Sequence, residues 1–275
     1  MDINAAVSYL EAFLTSNQTS AQDRAAVTSW MLNRAASERG YNNYQSSERS
    51  GETFFLNQFL APMQPRLCID IGANVGSYSR ALLTCTSAQV HCFEPVSLSF
   101  QQLQELTKEY PDRLLIHRMG IGDHDGTMPI YFNSDALSHA SLLSEMNKIE
   151  YVSNTQTEEV QICKLDTFFK ESLTPIDFIK IDTEGFEKEV LDGSRGIIEA
   201  HKPKAIQIEF NHHQLFRGQT IYSFSQILPD YKVFQLLPSA ILERDPGDPF
   251  ANLFLFSNFV FIRHDYIEAG NSAGT

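Results

Sequence analysis

Cysteine, tryptophan and basic residues are all scarce in this chain. Its 275 residues include four cysteines and one tryptophan. Cys68, Cys85, Cys92 and Cys163 are scattered, mostly inside apolar runs, with no C-x-x-C pair. That spacing argues against a zinc site or a disulfide framework and reads as free thiols of a cytoplasmic protein. Lys and Arg total 21 against 34 Asp and Glu, giving a formal charge of −13. The clustered cations that phosphate contacts need are missing, so nucleic acid is not an expected partner, nor is an anionic membrane. No apolar run reaches the length of a membrane span. The best, Asn252 to Arg263, is interrupted by Ser257 and Asn258 and reads as a strand. Met1-Asp2 opens a helical pattern rather than a charged-then-apolar leader. Low-complexity tracts, internal repeats and a G-x-G-x-x-G motif are absent as well.

What is present suits a globular α/β protein. Hydrophobic residues make up 43% of the chain, enough for one large domain with an added segment. The first fifty or so residues read as that segment, and residues 51–275 as the domain. Apolar residues at Ala6, Val7, Leu10, Phe13 and Leu14 follow a helical spacing, and Val27, Trp30 and Met31 mark a second helix. Trp30 is expected to be a core or domain-packing anchor rather than a substrate platform. Arg39 to Ser50 lacks periodicity and reads as a connecting loop.

From Glu52 onward strands alternate with helices, which predicts a mostly parallel sheet covered on both faces. The expected strands are Leu67–Ile71, Gln89–Phe93, Leu114–Arg118, Asp177–Ile181, Lys204–Phe210, Lys232–Leu237 and Asn252–Arg263, seven in all. The last is expected at the sheet edge, in an antiparallel hairpin. Thr127–Asn133 and Glu159–Lys164 read as an inserted strand pair around a polar loop. Helices are predicted over Ser97–Tyr110, with a serine cap, from Gly185 to Leu191 or beyond, and over Thr220–Leu228.

The most informative stretch is Leu67-Cys68-Ile69-Asp70-Ile71-Gly72-Ala73-Asn74-Val75-Gly76. A short apolar strand ends in a carboxylate, a loop with two glycines follows, and a helix begins. This unit opens nucleotide-type pockets in α/β proteins. A carboxylate here repels a pyrophosphate and attracts a ligand carrying an ammonium or sulfonium. S-adenosylmethionine carries both, so the loop favours it over a dinucleotide. Glu94, at the end of the second strand, sits where an acid commonly holds ribose hydroxyls.

Two further strands end in acids, Asp182 and Glu209. Asp70, Glu94, Asp182 and Glu209 are therefore expected to converge on one rim, where their repulsion calls for a cation. His212 and His213 follow that rim and are candidate general bases, with His139 of the polar loop a third. Lys180, between Ile179 and Ile181, is an unusual strand lysine that is expected either to pair with a rim acid or to orient substrate.

These residues resemble a known family. Asp70 to Gly76, Phe93-Glu94-Pro95, Ile121-Gly122-Asp123 with Gly126, and Lys164-Leu165-Asp166-Thr167-Phe168 match the pattern of the FkbM-type methyltransferases. So do Ile176 to Glu187, Val190-Leu191-Asp192-Gly193 and Ile208-Glu209, and the resemblance covers roughly Glu52 to Leu237. Thr183 is a departure, since the family often has an apolar residue there. The resemblance implies a class I, Rossmann-like fold and S-adenosylmethionine-dependent methylation, usually of a hydroxyl on a sugar or natural product. It implies that Asp70, Gly72, Ala73, Asn74 and Gly76 bind the methionine part, and that Glu94 with Pro95 binds the ribose. The Gly120-Ile121-Gly122 loop would lie by the adenine, and Asp182 would complete the cofactor site.

An alcohol is a poor nucleophile until its proton is removed, so a base or a metal is expected. The reading is an O-methyltransferase acting on a small, sugar or carrier-bound acceptor, with a histidine base. Asp182, Glu209 and Asn211 offer the alternative of Mg²⁺ holding the acceptor oxygen. A nicotinamide oxidoreductase is disfavoured by Asp70, and a non-catalytic scaffold remains open. The N-terminal helices are candidates for a lid, a homo-oligomer interface or a contact with the acceptor's carrier.

Overall fold

The computed structural model describes residues 2–135 and 137–267. Eleven strands form two sheets: β1 Leu67–Ile71, β2 Gln89–Phe93, β3 Leu114–His117, β4 Gly120–Ile121, β5 Gly126–Phe132, β6 Gln156–Cys163, β7 Phe178–Ile181, β8 Ala205–Phe210, β9 Tyr231–Leu237, β10 Ala240–Glu243 and β11 Ser257–Arg263. The larger sheet runs β10-β9-β11-β8-β7-β1-β2-β3. β8, β7, β1, β2 and β3 are mutually parallel, whereas β11 is antiparallel to both its neighbours and β10 to β9. The architecture is a class I, Rossmann-like α/β fold.

The sheet has eight strands where the sequence predicts seven. The extra one follows Pro238-Ser239, where the chain reverses and Ala240 to Glu243 pair back onto β9. Four residues are too few to reveal a period in sequence. That hairpin takes the edge, so the last strand lies inside the sheet between β8 and β9. It begins at Ser257, five residues later than predicted, after Pro249–Ala251 forms a short helical turn. The inserted pair is present as β5 and β6, paired antiparallel, but β4 joins them to make a separate three-stranded sheet. Gly120 and Ile121 are thus strand residues rather than loop.

Every residue of β1 is buried, as expected of a central parallel strand. Pleating sends Ile69, Ile71, Ile179, Ile181, Ile206 and Ile208 into one core with Leu165, Val190, Leu191, Ile197, Ile221 and Phe224. Cys68, Val90, Cys92 and Phe178 point into the other, beneath Phe55, Leu60, Leu82, Leu83, Leu103 and Leu106. Each face is covered by helices, which removes apolar side chains from water on both sides. The helix at Ser97–Glu109 lacks the expected serine cap. Ser97 instead donates its N–H and hydroxyl to Glu158, at 2.6 and 2.8 Å.

The N-terminal helices Ile3–Thr15 and Ala21–Glu38 are capped by Asp2 and Ser20. The first buries no residue and the second only Ala36. Trp30 is 66% exposed and so is not a buried anchor among the described residues, contrary to expectation. Packing on the sheet starts at Ala36 and continues at Tyr41, which is fully buried, and Ser47–Ser50 is a short helix rather than loop.

Gly72 has φ +80°, and a Cβ there would lie 1.7 Å from the Asp182 carbonyl oxygen. The glycine therefore serves contact between two strand-end loops. Gly72→Ala is expected to cost more than about 2 kcal/mol in urea unfolding, since both strain and overlap oppose it. Gly218→Ala, at φ +62° with nothing within 4 Å, is expected to cost about 1 kcal/mol.

Candidate active site

The carboxyl ends of β1, β2, β7 and β8 point the same way, so the loops that follow them share one end of the sheet. The loop after β1 is closed on itself. Gly72 and Ala73 donate their N–H groups to the Phe93 carbonyl, each at 3.0 Å, and Gly76 donates to Ala73. Asn74 takes φ +48° and accepts from the Ser99 hydroxyl. Gly76, at φ +85°, leaves room for Leu103 and Leu106 of the helix over β2.

Glu94 fastens this loop. One carboxylate oxygen accepts from the Asn74 N–H and the other from the Val96 N–H, both at 2.8 Å. Burial raises its pKa to about 7 against the pull of these two bonds, and among the described residues no cation pairs with it. Next to this clasp a cavity of about 220 Å³ is lined by Pro95, Arg118, Glu159, Val160 and Gln161. Gly120 lies alongside: a Cβ there would stand 3.9 Å from Pro95. Ile121 and Gly122 turn away, the first into the core and the second against Phe186 and Ile162.

Asp70 does not reach the rim. Strand alternation turns it with Cys68 and Cys92 into the covered face, where it is fully buried and accepts from Ser79 at 2.5 Å. Its register partner on β7 is Lys180, whose partner on β8 is Gln207. The three form a buried polar row. Tyr78 donates to Gln207 at 2.6 Å, and Gln207 donates to Glu52 at 3.0 Å and Asn258 at 3.1 Å. Lys180 donates to Asp182 at 2.7 Å and lies 4.9 Å from the centre of the Tyr78 ring. Burial alone would lower the Lys180 pKa, but Asp182, Asp70 and Glu52 outweigh it and hold the ammonium well above its usual value.

Asp182 and Glu209 do converge, one pleat nearer the loops, and a third acid joins them. Oxygens of Asp182, Glu184 and Glu209 all lie within 4.8 Å of one another. Glu184 was not legible as a site residue in sequence. It adopts φ +52°, followed by Gly185 at φ +105°, and this turn aims its side chain back at the strand ends. Glu187 sets the turn, accepting from the N–H groups of Thr183 and Gly185 at 2.9 and 3.1 Å. Its other oxygen accepts from Gln214 at 2.7 Å, and Gln214 accepts from the Asn211 N–H at 2.7 Å. The turns after β7 and β8 are thereby tied together. The helix accordingly begins at Glu187 rather than Gly185.

Asn211 is not placed as a metal ligand. Its oxygen accepts from the His213 N–H at 2.8 Å to cap the helix His212–Arg217, and its amide nitrogen donates to Glu209 at 2.7 Å. The adjacent histidines are sorted by that helix. His213 points inward, is 2% exposed, and lies 2.8 Å from Glu184. His212 is half-buried and faces Tyr151, whose hydroxyl is 3.5 Å from its Nδ1. The ring of His139 packs edge-on to Tyr151 at 5.5 Å, so all three candidate histidines meet at this end. Burial lowers the pKa of each, with His213 adding to the shift at His139 and His212.

The profile of the methyltransferase FkbM domain matches residues 70–236, from Asp70 in β1 to Leu236 in β9. This chain belongs to the FkbM methyltransferase family. A search of the curated proteins found no match. Among solved structures, the chain is similar to an O-methyltransferase from Bacillus cereus in complex with SAH, at 11% identity and TM-score 0.46, covering 94% of this chain and 97% of that one. A methyltransferase from Geobacter sulfurreducens aligns at 12% identity and TM-score 0.43, covering 96% and 97%. A precorrin-6y C5,15-methyltransferase from Geobacter metallireducens aligns at 10% and 0.41, covering 81% and 91%. Among the described residues of this methyltransferase, no helix is long and apolar enough to cross a membrane.

Among the described residues Lys180 is the only cation bonded within the polar row, and its removal leaves Asp70, Asp182 and Glu52 without it. Lys180→Met is expected to lower stability by about 3–5 kcal/mol in urea unfolding. Lys232→Met, whose partner Glu243 is exposed, should cost less than about 1 kcal/mol.

Proposed function

We propose that this methyltransferase uses S-adenosylmethionine to methylate a hydroxyl of a small, sugar or carrier-bound acceptor. The observation that carries the reading is the Glu94 clasp: a buried carboxylate, without a cationic partner, bonded to the loop after β1. Each Glu94 oxygen spends one lone pair on a backbone N–H and keeps another for a ribose hydroxyl. The cavity beside Pro95 suits the adenine, and Gly120 lies next to Pro95. When bound, S-adenosylmethionine supplies an electrophilic methyl group that passes to the acceptor oxygen as the carbon–sulfur bond breaks, the electron pair staying on sulfur.

The chain's own task is alignment and removal of the acceptor proton. His212 suits the second role. Its partial burial keeps it neutral near pH 7, and it is open to the acceptor side, whereas His213 is sealed in. Burial pushes the Tyr151 hydroxyl up to about 12, so it stays protonated beside His212 and His139. His139 and Tyr151 then form a wall of the acceptor site.

Calorimetry with S-adenosylhomocysteine tests the cofactor reading. Hydroxyl donors favour the ionised form of Glu94, so binding releases a proton below about pH 7. Affinity is expected to fall as pH drops through that value, up to about tenfold per unit, and to level off above pH 8. Glu94→Gln should weaken binding about tenfold to a hundredfold and flatten this profile. No binding to well-folded protein would overturn the reading. For the base, His212→Ala is expected to lower kcat by about 10²–10⁴ while leaving S-adenosylhomocysteine affinity within about twofold. Unchanged kcat would remove His212 from that role.

A further inference from the structure

Of the groups at this end of the sheet, the acids after β7 and β8 are the ones a donor and a base leave unexplained. Three carboxylates from two adjacent turns bring oxygens within 4.8 Å of one another. Oxygens no farther apart than this can share one hard cation, whose bonds to oxygen run from about 2.0 to about 2.6 Å. Lys180 satisfies only one Asp182 oxygen, and Asn211 only one Glu209 oxygen.

A second observation points into the same place. His213 is 2% exposed, yet neither ring nitrogen has a hydrogen-bond partner. Its Nδ1 lies 2.8 Å from Oε2 of Glu184, an oxygen that is likewise buried and unbonded. An imidazole at this distance can fix the direction of the carboxylate, as outer partners of metal ligands do.

We propose that Asp182, Glu184 and Glu209 bind one hard divalent cation of the Mg²⁺ or Mn²⁺ kind, with His213 as the positioning residue for Glu184. All-oxygen ligation selects that class over softer metals. The ion would hold the acceptor oxygen in place, between the acids and His212, and make its proton easier to remove. The site differs from the set expected in sequence: Glu184 replaces Asn211, which caps a helix. The inference rests on reading this end of the sheet as the acceptor side, but its test needs neither donor nor acceptor.

Metal-free full-length protein, prepared with EDTA, would be titrated with MnCl₂ and followed by calorimetry and by the loss of the free-ion resonance signal. One Mn²⁺ per chain is expected, displaced by excess MgCl₂. Glu184→Gln and Glu209→Gln should each weaken it at least tenfold, with melting curves confirming that the variants are folded. His213→Ala should weaken it about tenfold to a hundredfold, and His213→Asn, whose amide nitrogen takes the Nδ1 position, should restore most of the loss. In EDTA all four variants should bind S-adenosylhomocysteine within about twofold of the parent chain. Failure of the parent chain to bind Mn²⁺ at 10 mM, with S-adenosylhomocysteine binding intact, overturns the metal site and leaves the cofactor reading standing. Tenfold weaker S-adenosylhomocysteine binding by Glu184→Gln or Glu209→Gln in EDTA also overturns it, and assigns the acids to the donor's ammonium.

Discussion

Lys180 donates to Asp182 from inside the protein, over the face of Tyr78 and opposite Asp70 in the strand register. An ammonium in this position is costly to desolvate, and carboxylates without it would be costlier still. The pair holds because each charge has a bonded partner and because the row continues through Gln207 to Glu52 and Asn258. β1, β7 and β8 are thus joined by polar side chains as well as by backbone bonds. What lies one pleat above, at the strand ends, inherits that alignment. Asp182 is oriented by the lysine below it, and Glu209 stands next to it on the same face.

The turn after β7 is built on that base. Glu187 collects the N–H groups of the turn, and Gln214 passes the constraint to the turn after β8. Ser141 donates to the Glu184 carbonyl at 2.8 Å, which brings the polar loop against the same turn. His139, Tyr151 and His212 meet as a consequence, from segments far apart in sequence. The loop after β1 is fixed separately, by Phe93 and Glu94. The site therefore has two halves with different physical origins. One is a backbone loop clasped by a carboxylate, and the other is a cluster of side-chain charges resting on a buried ion pair.

Glycine shows how sequence reading and structure divide. The glycines of Asp70 to Gly76 suggest close approach of a ligand to the backbone. In the fold, Gly72 clears the Asp182 carbonyl and Gly76 clears two leucines, so both are needed before any ligand arrives. Asp70 shows the same division. A carboxylate at the end of an apolar strand reads as a rim acid, but its odd-or-even place in the pleat decides its direction, and that register belongs to the sheet.

The sequence by itself determined the alternation of strands and helices, the loop after β1, the acids at four strand ends and the family. These depend on local period and on residue spacing, which a single chain displays directly. Tertiary structure decided which acids meet, since Glu184 enters the cluster only through a left-handed turn held by Glu187. It also decided which histidine faces outward, because Asn211 caps the helix and fixes its rotation. The eighth strand and the interior place of the last one were settled there too, by pairings between segments that carry no mark of each other in sequence.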